Sequence, residues 1–255
     1  MLILLSPAKD LNESPVSGIR TTVPVLLEHA VPLAEKLRGM SAKKLATLMD
    51  ISPKLAALNH ARYQAWSVPF GKHALPAGFA FNGEAYRGLD IRTLDADDLR
   101  FAQRHLRILS GLYGVLRPLD RMLPYRLEMG TPLAMGRGLK DLYAWWGDRI
   151  TDALQGDLKQ AGKVVVNLAS QEYFKAVRTG RLGVPVITPV FKDRVGSGHK
   201  VVMVFAKHQR GAMARHIIRH RILDPQALKK YDGDGYRFSA EESTVDQWVF
   251  LRDRR

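Results

Sequence analysis

The chain has 255 residues, 46% of them hydrophobic, enough to build the core of one large domain or two small ones. Lys and Arg number 39 against 25 Asp and Glu, a formal charge of +14 that favours a polyanionic partner. No apolar run reaches membrane-spanning length, the opening Met1-Leu2-Ile3-Leu4-Leu5 is too short for a signal-peptide core, and there is no cysteine; a spanning helix, disulfides, thiolate nucleophiles and cysteine-ligated clusters are excluded, and a cytoplasmic protein is expected.

In chain order, 2–5 reads as a buried strand, a short apolar run ended by Ser6-Pro7. Helical spacing follows at 25–38, 42–49 and 53–66, then a strand at 78–82 and a helix at 97–109. The second half gives a helix at 141–159, strands at 163–168, 185–190 and 199–206, a helix at 211–223 and an edge strand at 247–251. Strands and helices interleave too irregularly for a repeated βαβ winding. The expected fold is therefore a mixed α/β (α+β) architecture, a central mixed sheet covered by helices, in a single compact domain over 1–255.

Charge is uneven along the chain. Residues 1–100 carry 12 basic and 10 acidic groups and 231–255 carry 4 and 6, but 151–230 carry 15 and 5. A polyanion-binding surface is therefore sought first in the third quarter.

The most specific local pattern is Leu48-Met49-Asp50-Ile51-Ser52-Pro53-Lys54-Leu55-Ala56 between two short helices. It resembles the helix-hairpin-helix DNA-binding motif, spanning about 41–66, with Asp50 and Ser52 where two glycines are usual. Ser52 is placed to cap the second helix and Pro53 to open it. A helix N-terminus so presented offers backbone N–H groups to a phosphate, and Lys43, Lys44, Lys54 and Arg62 would add contacts that fix register without reading sequence. Replacing the glycines limits close approach of the backbone; the plainer alternative is a two-helix corner capped by Ser52. No acidic residue lies between Asp50 and Glu84, which argues against the base-excision chemistry of helix-hairpin-helix glycosylases.

Between Lys192 and Arg221 stand eight Lys/Arg, one acid and four histidines. In the helix expected from Gly211, the apolar residues gather on one side and leave Arg215 and Arg219 one turn apart on the other, a face suited to phosphates. His216 and His220 have metal-pair spacing but no Glu or third ligand beside them, so no metal site is assigned and no cofactor is expected. A third region, Arg107 to Asp120 followed by Pro124 to Gly130, places Arg107, Arg117, Arg126 and Glu128 as candidates for a cleft; its glycines form neither a dinucleotide fingerprint nor a Walker sequence. Lys9 after Ser6-Pro7, and Ser170 after the strand at 163–168, occupy strand ends that face ligands in α/β proteins. Ser170 is also placed to cap the next helix. Trp145-Trp146 reads most simply as core packing.

Together, the opening Met1 to Lys9, the block from Arg107 to Asp120, Pro124 to Gly130, Asp141 to Asp148 with its two tryptophans, and Asn167 to Lys175 resemble the YaaA peroxide-stress-response family, nearly end to end. The resemblance implies a cytosolic protein induced by hydrogen peroxide that limits damage by holding down free iron. It also implies a DNA-binding protein with a helix-hairpin-helix element and a positively charged cleft. The leading expectation is a DNA binder that contacts backbone phosphates, more a binding protein than an enzyme. The alternative is an enzyme acting on a nucleic-acid or phosphorylated substrate through Lys9, Arg126, Glu128 and Ser170, which requires those four to converge.

Overall fold

The structure, a computed structural model, describes residues 1–253. Among them, eight strands form the central sheet: β1 (Leu2–Leu5), β2 (Leu106–Ser110), β3 (Gly114–Leu116), β4 (Val165–Leu168), β5 (Val186–Val195), β6 (Gly198–Lys200), β7 (Arg237–Ser239) and β8 (Gln247–Arg252). Their spatial order is β7-β8-β5-β4-β1-β2-β3, with β6 paired to the far end of β5. The inner five, β2, β1, β4, β5 and β8, run parallel, while β3, β6 and β7 join antiparallel. Each residue of β1, β2 and β4 is buried, as strands covered on both faces must be, and this explains their continuous rather than alternating apolar character. The chain passes from β1 to β2 on one side and later returns to place β4 on the other, so strand order reverses between β1 and β4.

The flanking helices are α1 (Leu27–Arg38), α2 (Ala42–Met49), α3 (Pro53–Ala65), α4 (Glu84–Leu89), α5 (Ala96–His105), α6 (Leu142–Trp146), α7 (Arg149–Ala161) and α8 (Met203–Arg219), besides shorter turns. The central mixed sheet with helical cover is the architecture expected. Five local expectations are corrected. The helix at 97–109 stops at His105, and Leu106–Ser110 enters the sheet beside β1. The helix at 141–159 is two, because Gly147 turns at φ 50 between α6 and α7. The strand at 78–82 is a helical turn, Ala77–Ala80, followed by the short pair partner Phe81–Asn82. Of 199–206 only the start is strand; α8 begins at Met203, because Ala206, Gln209, Met213, Ala214 and Ile217 bury at helical spacing, and that packing overrides the β-branched run before it. The 247–251 strand does form, but β8 lies inside the sheet, between β5 and β7.

Helix α8 crosses α4 backbone to backbone at a pair of glycines. A Cβ on Gly211 would come 1.6 Å from the Ala85 carbonyl oxygen, and one on Gly88 would come 2.2 Å from that of His208. Only hydrogen fits at either position.

Candidate functional site

The carboxyl ends of β1 and β4 open into a cavity of about 660 Å³. This is where α/β sheets place ligands, outside the strand ends at the reversal of strand order. Its walls come from Ser6 to Asp10 after β1, Ser170 to Tyr173 after β4, the segment Tyr125 to Glu128, the start of α4, and Met203, Lys207 and Arg210 on α8.

Ser6 and Ser170 hold the two strand ends together: the Ser170 N–H donates to Ser6 Oγ at 2.8 Å, and Ser6 Oγ–H donates to Ser170 Oγ at 3.2 Å. Tyr86 donates from α4 to the Ser6 carbonyl at 3.0 Å. Glu128 is shared by two cations, with Lys9 Nζ 2.7 Å from Oε2 and Arg126 Nη2 2.9 Å from Oε1. Glu172 Oε1 accepts the Gly130 N–H at 2.9 Å. Burial pushes the phenols of Tyr86, Tyr125 and Tyr173 up, so they stay neutral. Burial pushes the Arg210 guanidinium down. The side chains of Arg210 and Lys207 form no hydrogen bond or ion pair with another described residue.

Lys9, Arg126, Glu128 and Ser170 therefore converge on one cavity, as the enzyme reading requires. Arg107 and Arg117 do not join them. Arg107 projects from β2 against α7, where it donates to both carboxylate oxygens of Asp157 at 2.6 Å and to the carbonyls of Gln103 and Leu106. Arg117 closes a loop by donating to Asp120 and to the Val23 carbonyl. Both guanidiniums thus hold the fold together away from the cavity.

At the two-helix corner, Ser41 accepts the Lys44 N–H to cap α2 and Ser52 accepts the Leu55 N–H to cap α3, with Asp50 left-handed at φ 49 between them. The side chains of Lys43, Lys44 and Lys54 are exposed and have no partner among the described residues. Arg62 instead pairs with Glu13 at 2.5 Å, beside a separate hollow of about 380 Å³. From α3, Tyr63 donates to the Arg126 carbonyl at 2.7 Å, a direct link between this corner and the cavity wall. The outer arginines of α8 are held down: Arg215 donates to the carbonyls of Leu89 and Asp90, and Arg219 lies 3.5 Å from the buried Asp98 carboxylate.

His216 and His220 stack with ring centroids 4.3 Å apart, and His216 packs on Tyr231. Among the described residues no group of three or more His, Asp or Glu is placed to hold a metal ion. Trp146 is fully buried and donates to the Gly111 carbonyl, as core packing requires. No helix among the described residues is long and apolar enough to cross a membrane.

Sequence reasoning missed Lys207 and Arg210, because it started the helix too late. With the start at Met203, positions 203, 207 and 210 have i, i+4, i+7 spacing and share one face, the face that lines the cavity.

A family model described as peroxide stress protein YaaA matches residues 1–242. A UPF0246 protein of Ralstonia nicotianae is 53% identical over 255 residues, covering 99% of each chain. Further UPF0246 proteins, of Ralstonia pickettii and Paraburkholderia phytofirmans, are 52% and 51% identical over 255 and 257 residues, covering 99% of this chain and 99% and 98% of theirs. Such identity over whole chains leaves one conclusion: the chain belongs to the YaaA family of peroxide stress proteins.

Proposed function

We propose that this protein acts in the peroxide stress response by holding DNA through its backbone phosphates, with the cationic wall of the cavity as the principal grip. One observation carries the reading: Lys207 and Arg210 face a cavity at the strand ends, and neither forms an ion pair with a described carboxylate. A desolvated guanidinium without a partner is costly, and a phosphate oxygen relieves that cost with charge-assisted hydrogen bonds. The net charge of +14 favours approach of a polyanion from any side. The exposed Lys43, Lys44 and Lys54 at the two-helix corner supply secondary phosphate contacts. By covering DNA, the chain would limit the oxidative damage that free iron inflicts on it.

The test is duplex affinity across a salt series. Each neutralised phosphate contributes about 0.9 to the slope of log affinity against log salt. Lys207→Ala with Arg210→Ala is expected to flatten that slope by about two contacts, and Lys43, Lys44 and Lys54 changed together to Ala should flatten it by a smaller amount. A flat slope for the wild type, or unchanged binding in both sets of variants, refutes the reading.

A second reading, an enzyme acting on a nucleic-acid or phosphorylated substrate, is favoured by the convergence of Lys9, Arg126, Glu128 and Ser170. Phosphate release or strand cleavage from a set of model substrates, lost in Glu128→Gln, is the observation that would promote it.

A further inference from the structure

We propose that the cavity receives one whole nucleotide unit, its phosphate held by Lys207 and Arg210 and its base among the tyrosines. This deepens the phosphate-binding reading of the same site, on which it rests. Contact with a DNA backbone needs only surface cations, whereas this protein has a hollow of about 660 Å³ behind them, within the usual size range of a small-molecule pocket.

The lining combines two kinds of chemistry. Lys207 and Arg210 supply cations that no ion pair occupies. Tyr86, Tyr125 and Tyr173 form part of the same wall. The hydroxyls of the first two are occupied, by the Ser6 carbonyl and, at 2.6 Å, by Ser110 Oγ. What little of Tyr86 and Tyr125 reaches the wall is therefore ring surface rather than a free hydroxyl, which suits a base of any sequence. The wall also carries the carboxamides of Asn82 and Gln171, whose side chains bond to no other described residue. A carboxamide carries both donors and an acceptor, the complement of a base edge. Met203, one of the lining residues, is 58% exposed, and Val201 and Val204, its neighbours in the chain, are exposed too. An apolar lip next to a nucleotide-sized hollow is how proteins part stacked bases.

The unit can come from two sources, a free nucleotide or a nucleotide turned out of a strand, and the experiment separates them. The four deoxynucleoside monophosphates and inorganic phosphate are titrated calorimetrically into the wild type, Lys207→Gln and Arg210→Gln. In parallel, a duplex with one 2-aminopurine opposite a mismatch is followed by its emission. Saturable binding of at least one mononucleotide, tenfold or more tighter than inorganic phosphate and weakened about tenfold in each variant, supports the pocket with a free nucleotide as source. A rise in 2-aminopurine emission that both variants lose supports the pocket with an extruded nucleotide as source. The proposal is overturned if no mononucleotide saturates at millimolar concentration and emission stays flat. It is also overturned if phosphate binds as tightly as the mononucleotides, or if both variants behave as wild type. Lys207 is exposed, so its variant folds and keeps the test decisive even if Arg210→Gln does not. The mononucleotide arm contains no DNA, so its failure is separable from failure of duplex binding in the salt series.

Discussion

Replacing Gly211 by Ala should destabilise the fold, although an alanine in mid-helix is ordinarily favourable. Gly211 lies within α8, where alanine gains about 1 kcal/mol over glycine in helix propensity. Its Cβ, however, would sit 1.6 Å from the Ala85 oxygen, 2.6 Å from the Ala85 carbonyl carbon and 2.8 Å from the Leu89 nitrogen. All three are backbone atoms, so no rotamer change relieves the clash and α8 must lift away from α4. Overpacking of this kind costs about 3 kcal/mol at the upper end of its usual range. The net expectation is a loss of about 2 kcal/mol, or about 4–8 °C in melting temperature for a chain of this size. Thermal and urea denaturation measure it against Gly156→Ala in α7, where a Cβ meets nothing within 4 Å and about 0.5–1 kcal/mol of stabilisation is expected. If Gly211→Ala is as stable as Gly156→Ala, the close crossing of α4 and α8 is wrong, and so is the placement of Lys207 and Arg210 that depends on it.

Asp157→Ala strips the carboxylate from Arg107, whose side chain is 5% exposed, and should cost about 3–5 kcal/mol in urea denaturation; Arg107→Met with Asp157→Leu should recover most of that, and an equal loss in the double variant would argue against an uncompensated buried charge. His105 donates from Nδ1 to the Met1 carbonyl at 2.9 Å and stacks on Phe101, and burial holds its pKa below the ordinary histidine value. The unfolded chain therefore takes up a proton at a pH where the native chain does not, so this contribution to stability is full above about pH 6.5 and is lost as pH falls through the lowered native value. Melting temperature should drop between pH 7.5 and 5.5, with His105 contributing at most about 1.4 kcal/mol per pH unit, and the drop should shrink in His105→Gln; identical pH profiles would remove His105 as a cause. His216 is shifted the same way by burial and by His220, and accounts for part of the remaining slope.

The elements that sequence reasoning located well are those with local punctuation. β1 ends at Ser6-Pro7, α2 follows the Ser41 cap, and α3 opens on Ser52-Pro53. β2 was lost in a helix because Leu106 follows α5 with no breaker, and a strand buried on both faces has no alternation to mark it. The early start of α8 was lost because Val201, Val202 and Val204 favour a strand locally, while the helix is fixed by packing of α8 on α4 and the sheet, contacts distant in sequence. The site was legible in the same proportion. Lys9 and Ser170 stand where parallel strands end, a position that strand reading supplies, and Arg126 and Glu128 were found beside glycines. Arg107 and Arg117 share that glycine-rich region, but their partners Asp157 and Val23 lie 50 and 94 residues away, and no spacing rule reports where such a side chain turns.

The sharing of Glu128 between Lys9 and Arg126 gives the cavity a resident counter-anion. Four cations crowded into one hollow would repel one another and hold whatever small anion diffused in. With two of them already neutralised, only the α8 pair is without an ion-pair partner, and an entering group must tolerate the carboxylates of Asp10, Glu84, Glu128 and Glu172 in the same wall. Chloride or a single carboxylate gains little there, whereas a phosphate has enough charge and enough oxygens to engage Lys207 and Arg210 together. On the proposed phosphate-binding reading, the fold would thus set a threshold of charge density for admission.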